Sequence, residues 1–164
     1  MTEIQIRDAA PEDVPAILSL VRALAEFEKQ PDAVVATEAD YLRDGWGPHK
    51  RFSCRIAEQD GVVVGFALWF YNYSTWEGRA GIYLEDLYVS PEARGQGLGE
   101  RMIVDLAQIA VREGLARLDL SVLDWNPARG FYHRLGLEHR SDWLPYRIAG
   151  DALKALAGDN PPSA

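Results

Sequence analysis

Arg94-Gly95-Gln96-Gly97-Leu98-Gly99 are the residues of this 164-residue chain whose types and spacing speak most directly of chemistry. They follow an apolar strand pattern, Tyr83-Leu84-Glu85-Asp86-Leu87-Tyr88-Val89, and a Ser90-Pro91 break. They open a long amphipathic run from Glu100 to Arg112. Glycines between a strand and a helix let backbone N–H groups converge on an anion-sized hollow. The first helical turn adds free donors and the positive end of the macrodipole. Arg94 places a fixed charge at the rim. This arrangement predicts a pyrophosphate cradle. A Walker loop would close on Gly-Lys-Ser/Thr, whereas this one closes on Gly97-Leu98-Gly99-Glu100. A Rossmann fingerprint needs glycine at the first, third and sixth places, and counted from Gly95 the sixth is the acid Glu100. What remains is Arg-x-x-Gly-x-Gly after a β-strand; the competing reading is a glycine-rich turn with no ligand.

Acids in costly positions are the next candidates. Glu85 and Asp86 stand side by side among Tyr83, Leu84, Leu87, Tyr88 and Val89. Neighbours on a strand point to opposite faces, and a carboxylate among apolar side chains needs a partner. That partner is an arginine or a backbone N–H if the acid is structural, and a cationic ligand if it is not. Glu28 closes the first helical pattern, where the macrodipole disfavours an anion by roughly 0.3–1 kcal/mol; its competing reading is a solvated surface acid. Tyr132 is the candidate proton donor. With Asn126 as N-cap and Pro127 as first helical residue, it lies about 7.5 Å along the axis, and helical side chains lean back toward the N-terminus. The competing reading is a core tyrosine beside Phe131. His49, His133 and His139 are too scattered to suggest a metal site, so none is expected.

The elements that must position these residues form one alternation without repeats. Ile4 and Ile6 mark a first strand, and Pro11-Glu12-Asp13 starts a helix whose apolar positions are Val14, Ile17, Leu18, Val21, Leu24 and Ala25. Thr37-Glu38-Ala39-Asp40 opens a short second helix that stops at Gly45. Residues 52–58 and 62–71 read as a hairpin around Gln59-Asp60-Gly61, and 82–89 as the strand before the cradle. A strand over 115–123 follows the main helix; Asn126-Pro127 begins another helix that ends at Leu135-Gly136. Tyr146-Arg147-Ile148 predicts a last strand and 152–157 a final helical turn or two. The order is β-α-α-β-β-β-α-β-α-β, an α+β chain with a mixed central sheet flanked by helices. Residues 1–157 read as a single domain and 158–164 as a frayed tail.

Composition narrows the partners. Seventeen basic against twenty-five acidic residues give a net charge of −8, which argues against nucleic acid or an anionic membrane and suits a cationic substrate. Cys54 is the only cysteine, and no apolar run approaches the ~20 residues that span a bilayer. The N-terminus lacks a basic n-region and an apolar h-region. The expectation is a soluble, cytoplasmic protein.

Arg94-x-x-Gly97-x-Gly99 after a strand resembles the acetyl-CoA loop of the GNAT superfamily of N-acetyltransferases, and the element order matches that fold over nearly the whole chain. Leu84 to Val89, Trp125-Asn126, Phe131-Tyr132, Trp76-Glu77-Gly78 and Leu24-Ala25-Glu26-Phe27-Glu28 are similar to its diamine (spermidine/spermine) branch. The resemblance implies an acyltransferase that moves acetyl from acetyl-CoA to a primary amine of a diamine, polyamine or lysine-like amino acid, by direct attack in a ternary complex. It implies cofactor contacts at Leu87, Tyr88, Val89, Arg94, Gly95, Gln96, Gly97, Leu98, Gly99, Glu100, Asn126, Pro127, Ala128 and Tyr132. It implies acceptor contacts at Phe27, Glu28, Trp76, Glu85 and Asp86, catalysis by Glu85 and Tyr132, and a homodimer. Members of the branch carry tyrosine where this chain has Phe27 and often an acid near Ser74-Thr75, so looser selectivity is expected here. The alternatives are another amine (amino acid, aminoglycoside-like amine or protein N-terminus) and a non-catalytic CoA-binding sensor.

Overall fold

A computed structural model describes residues 2–158. It contains β1 (Ile4–Asp8), α1 (Val14–Phe27), α2 (Glu38–Trp46), β2 (Ser53–Gln59), β3 (Val62–Ser74), β4 (Arg79–Val89), α3 (Leu98–Arg112), β5 (Leu118–Leu120), α4 (Ala128–Arg134) and α5 (Gly150–Ala157). The strands form one sheet in the order β1-β2-β3-β4-β5, antiparallel through β4 and parallel between β4 and β5. The α+β class and the mixed sheet are as the sequence predicts. The chain divides into two compact units, the first ending at Leu123 and the second beginning at Asp124.

In the first unit the helix periodicities decide which face each element covers. Ile17 of α1 packs with Cys54, Ile56, Phe66, Leu68 and Tyr88, all buried, and forms the core on one face of the sheet. Burying each large aliphatic or aromatic side chain there contributes about 1.5–3 kcal/mol. On the other face α3 turns inward Leu98, Met102, Ile103, Leu106 and Ile109. Gly65 allows that approach, since a β-carbon there would stand 3.4 Å from Met102 Sδ. Ionic ties cross the elements: Arg7 binds Asp13 at 2.8 Å and Glu58 at 2.6 Å, and Arg55 binds Asp105 at 2.8 Å and Asp8 at 2.9 Å. Cys54 is buried and its thiol is pushed up to about 12, mainly by loss of hydration, so it is no nucleophile.

Two local features shape the site. The end of α1 is closed by a Schellman pair, Gln30 N–H to the Ala25 carbonyl and Lys29 N–H to that of Glu26, with Lys29 in the left-handed region at φ 62°. Glu28 is thereby held as the C-cap. In β4, Asp86 pairs with Leu68 and Leu84 with Trp69, which leaves Glu85 as the extra residue of a β-bulge. The plain alternation expected for Glu85 and Asp86 is broken there, because one strand carries a residue with no opposite number.

The expected strand over 115–123 narrows to Leu118–Leu120, whose partners are Ile82–Leu84. In the second unit, Asn126 Oδ1 accepts from the Ala128 N–H at 2.9 Å, but the N-cap of α4 is Pro127, so the helix starts one residue later than expected. Tyr146-Arg147-Ile148 form no strand among the described residues. A strand needs a paired backbone, and this segment has no ladder partner, with Tyr146 93% exposed. The final helical turns extend to a two-turn helix, α5. Of the tail expected over 158–164, residues 159–164 lie outside the described residues.

Candidate active site

The loop from Arg94 to Gly97 is exposed and turns directly into α3. Gly95 (φ 78°) and Gly97 (φ 70°, the N-cap) occupy the left-handed region that disfavours side chains, which is why the turn can reverse so tightly. Among the described residues, the backbone N–H groups of Gly95 through Glu100 have no protein partner. The first intrahelical bond runs from Arg101 N–H to the Gly97 carbonyl. A row of unpaired donors at a helix start, with open space beside Gly95 and Gly97, fits a pyrophosphate. Arg94 is held on two sides. Its Nε donates to the Val89 carbonyl at 2.9 Å, and its guanidinium lies over the rings of Tyr88 and Phe27. At the strand end, Ser90 N–H and Oγ both donate to the Val64 carbonyl, at 2.8 and 3.0 Å, which ties Leu87-Tyr88-Val89 to β3.

The acids converge beside this loop. Asp86 lies opposite Leu68, on the face that α1 covers. Glu28 falls seven residues after Val21 and four after Leu24, so it continues the apolar stripe of α1 toward the same face. Burial raises the Glu28 carboxyl above its ordinary range. Asp86 is pushed up to about 6, first by burial and then by the charges of Glu85 and Glu28, which places both glutamates within electrostatic reach of it. None of them has a cationic side chain as partner among the described residues. Tyr41 of α2 joins them: its ring stands edge-on to Phe52 at 5.7 Å, and its hydroxyl is raised by burial and then by the charge of Asp86. The sequence reading missed Tyr41; its only signal was an aromatic on the inward side of a short amphipathic helix.

One expected acceptor contact of the first unit falls elsewhere. Trp76 is 90% exposed at the tip of the β3–β4 hairpin, and at ~3.3 Å per residue that tip is more than 20 Å along the strand from Asp86. Within one chain Trp76 is therefore not part of the acid cluster. Ser74 is buried and serves the same turn, its Oγ accepting from Glu77 N–H at 3.2 Å. Tyr132 lies in the second unit, half-buried on α4, with its ring 5.1 Å from that of Phe131.

Comparison with known proteins brings these features together. The model of the acetyltransferase (GNAT) family matches residues 18–137. Thialysine N-epsilon-acetyltransferase of Bos taurus is 41% identical over 96% of this chain and 99% of its own length. Spermidine/spermine N(1)-acetyltransferase-like protein 1 of Homo sapiens is 36% identical over 96% of this chain and 24% of that protein. Among solved structures, an integron cassette protein from the mobile metagenome of V. cholerae superposes with a TM-score of 0.80 at 25% identity, covering 95% of this chain and 98% of that one. A glycine-rich loop with unpaired donors on this mixed sheet, a family model crossing both units and full-length relatives agree: the chain belongs to the acetyltransferase (GNAT) family and is an acetyl-CoA-dependent N-acetyltransferase.

Proposed function

We propose that this enzyme acetylates a primary amine of a small acceptor carrying two separated positive charges, a lysine-like amino acid or a short diamine. The observation that carries this reading is the convergence of Glu28, Glu85 and Asp86 without a cation of their own. The charges of Glu85 and Glu28 act on Asp86 and raise its affinity for a proton, and a dication relieves that repulsion. Relatives named for thialysine and for spermidine/spermine point to the same acceptor class.

The roles divide by position. The unpaired N–H groups of residues 95–100 hold the pyrophosphate of the donor, and bound acetyl-CoA supplies the thioester that the amine attacks. Glu28 and Asp86 hold the acceptor's charges. Glu85, on the bulge and exposed, takes the proton that an alkylammonium must lose before its nitrogen can react, directly or through water. The Oη of Tyr132 gives its proton to the departing sulfur, with Asn126, Pro127 and Ala128 framing that helix start. That the family model runs across the boundary of the two units supports reading residues 1–157 as a single domain.

An amine panel with acetyl-CoA tests this. Thialysine, lysine and 1,4-diaminobutane are expected to be turned over with a lower KM than 1-aminobutane. Glu28→Gln should raise KM for the dications much more than for the monoamine, with a smaller effect at high salt. Tyr132→Phe should lower kcat by about 10²-fold or more while leaving acetyl-CoA affinity near that of the parent. Equal effects of Glu28→Gln on all acceptors would remove the dication pocket.

A further inference from the structure

Arg94 touches both parts of the site. On one side it begins the cradle; on the other its guanidinium carbon stands 6.0 Å from the centre of the Phe27 ring, the residue immediately before Glu28. The same carbon lies 5.4 Å from the ring centre of Tyr88, and both distances fall within the reach of a cation–π contact. The two aromatic neighbours differ in exposure. Tyr88 is 8% exposed and belongs to the paired core of the sheet, whereas Phe27 is 41% exposed at the last turn of a helix that ends on a left-handed Lys29. Nε is committed to the Val89 carbonyl, while neither Nη atom has a partner among the described residues. Those are the donors an anion in the cradle would draw upon.

We propose that Arg94 is a positioning residue that couples the two substrate sites: pyrophosphate in the cradle orders the guanidinium, and the Phe27 stack passes that order to the end of α1 that aims Glu28. The coupling rests on the reading above that Glu28 faces the acceptor. Tyr88 supplies the buried ring of the stack and Phe27 the ring carried by α1. Linkage makes the effect reciprocal, so an acceptor that settles the end of α1 tightens the cradle by the same factor. Lysine could not replace Arg94, because an ammonium lacks the planar face that stacks and the second nitrogen that reaches the anion.

Hydrogen exchange of the whole protein with and without CoA tests the coupling. The amides of Glu28, Lys29 and Gln30 donate to the carbonyls of Leu24, Glu26 and Ala25. CoA is expected to slow their exchange at least about fivefold in the parent protein. Phe27→Tyr, which keeps the aromatic face, should retain the effect, and Phe27→Leu should abolish it. Arg94→Lys should abolish it too, which keeps the test decisive if Phe27→Leu fails to fold; thermal melting of each variant reports folding. Calorimetry with CoA separates lost transmission from lost binding. CoA that binds without protecting these three amides overturns the coupling and leaves the dication reading standing. Protection that survives in folded Phe27→Leu and Arg94→Lys overturns it as well. A failed amine panel with protection intact removes the acceptor reading alone, and absence of CoA binding removes both.

Discussion

Asp86 is a carboxylate that folding turns into a weaker acid, and the sign of that shift has a consequence for stability. Burial, then the charges of Glu85 and Glu28, raise it from 3.8 to about 6. A folded-state value above the unfolded one means that the native state holds the proton more tightly. The site's favourable contribution is therefore fully present below about pH 4 and is lost as pH rises through about 6. At neutral pH the ionised aspartate costs on the order of 2–3 kcal/mol. Asp86→Asn is expected to raise the unfolding free energy by roughly that amount at pH 7 and by little at pH 3.5, read from urea titrations at the two pH values. The same variant should bind dicationic acceptors more weakly, since the strain it relieves is what attracts them. Equal stability of parent and variant at pH 7 would show that Asp86 is neutralised by something other than a ligand. The Glu85–Asp86 pair was legible in sequence as acids out of place. Which of them is buried was not, because the bulge reassigns the faces.

At the scale of elements, the cradle is a property of the β4–α3 junction. Gly97 is the N-cap at positive φ, so any side chain there strains the backbone before it meets a ligand, and its replacement cannot isolate the phosphate contact. Gly99 is different. It lies in the first turn of α3 with ordinary helical geometry, where valine is no worse a helix former than glycine. Gly99→Val is therefore expected to leave the melting temperature within a few degrees while weakening CoA at least about tenfold, by calorimetry. Unchanged affinity would mean that the pyrophosphate does not approach the first turn. The glycine spacing and the strand and helix around it can be read directly from the sequence, since turn chemistry and periodicity are local. The stacking of Arg94 on Phe27 and Tyr88 cannot, because it joins residues far apart in the chain.

Across the whole molecule, the chain leaves large apolar side chains uncovered. Trp143, Leu144, Tyr146 and Leu156 are all more than 60% exposed in the second unit, and Trp76 and Tyr73 are exposed at the β3–β4 hairpin. Among the described residues, residues 144–148 also carry no backbone ladder. Such surfaces are uncommon in a stable monomer. The resemblance to the diamine branch leads to the same proposal, a homodimer. Light scattering at micromolar concentration is expected to give twice the 18.3 kDa chain mass. Tyr146→Asp combined with Trp143→Asp should shift the equilibrium toward the monomer, and a monomeric parent protein would discard the proposal. No helix among the described residues is long and apolar enough to cross a membrane.

The sequence by itself determined the family, the α+β order through α4, the place of the glycine-rich loop and the identity of the acids. Each of these is written in near neighbours: glycines at two-residue spacing, apolar residues at helical spacing, and an acid closing a helix. Tertiary structure decided which of these residues meet. It brought Glu28 from the end of α1 onto the sheet face that holds Asp86, added Tyr41 from α2, and set the Arg94 guanidinium over two aromatic rings. It also placed Trp76 away from that cluster and, among the described residues, left 146–148 without a strand partner. Strand pairing, bulge position and helix docking depend on long-range registers, which no local window of residues encodes.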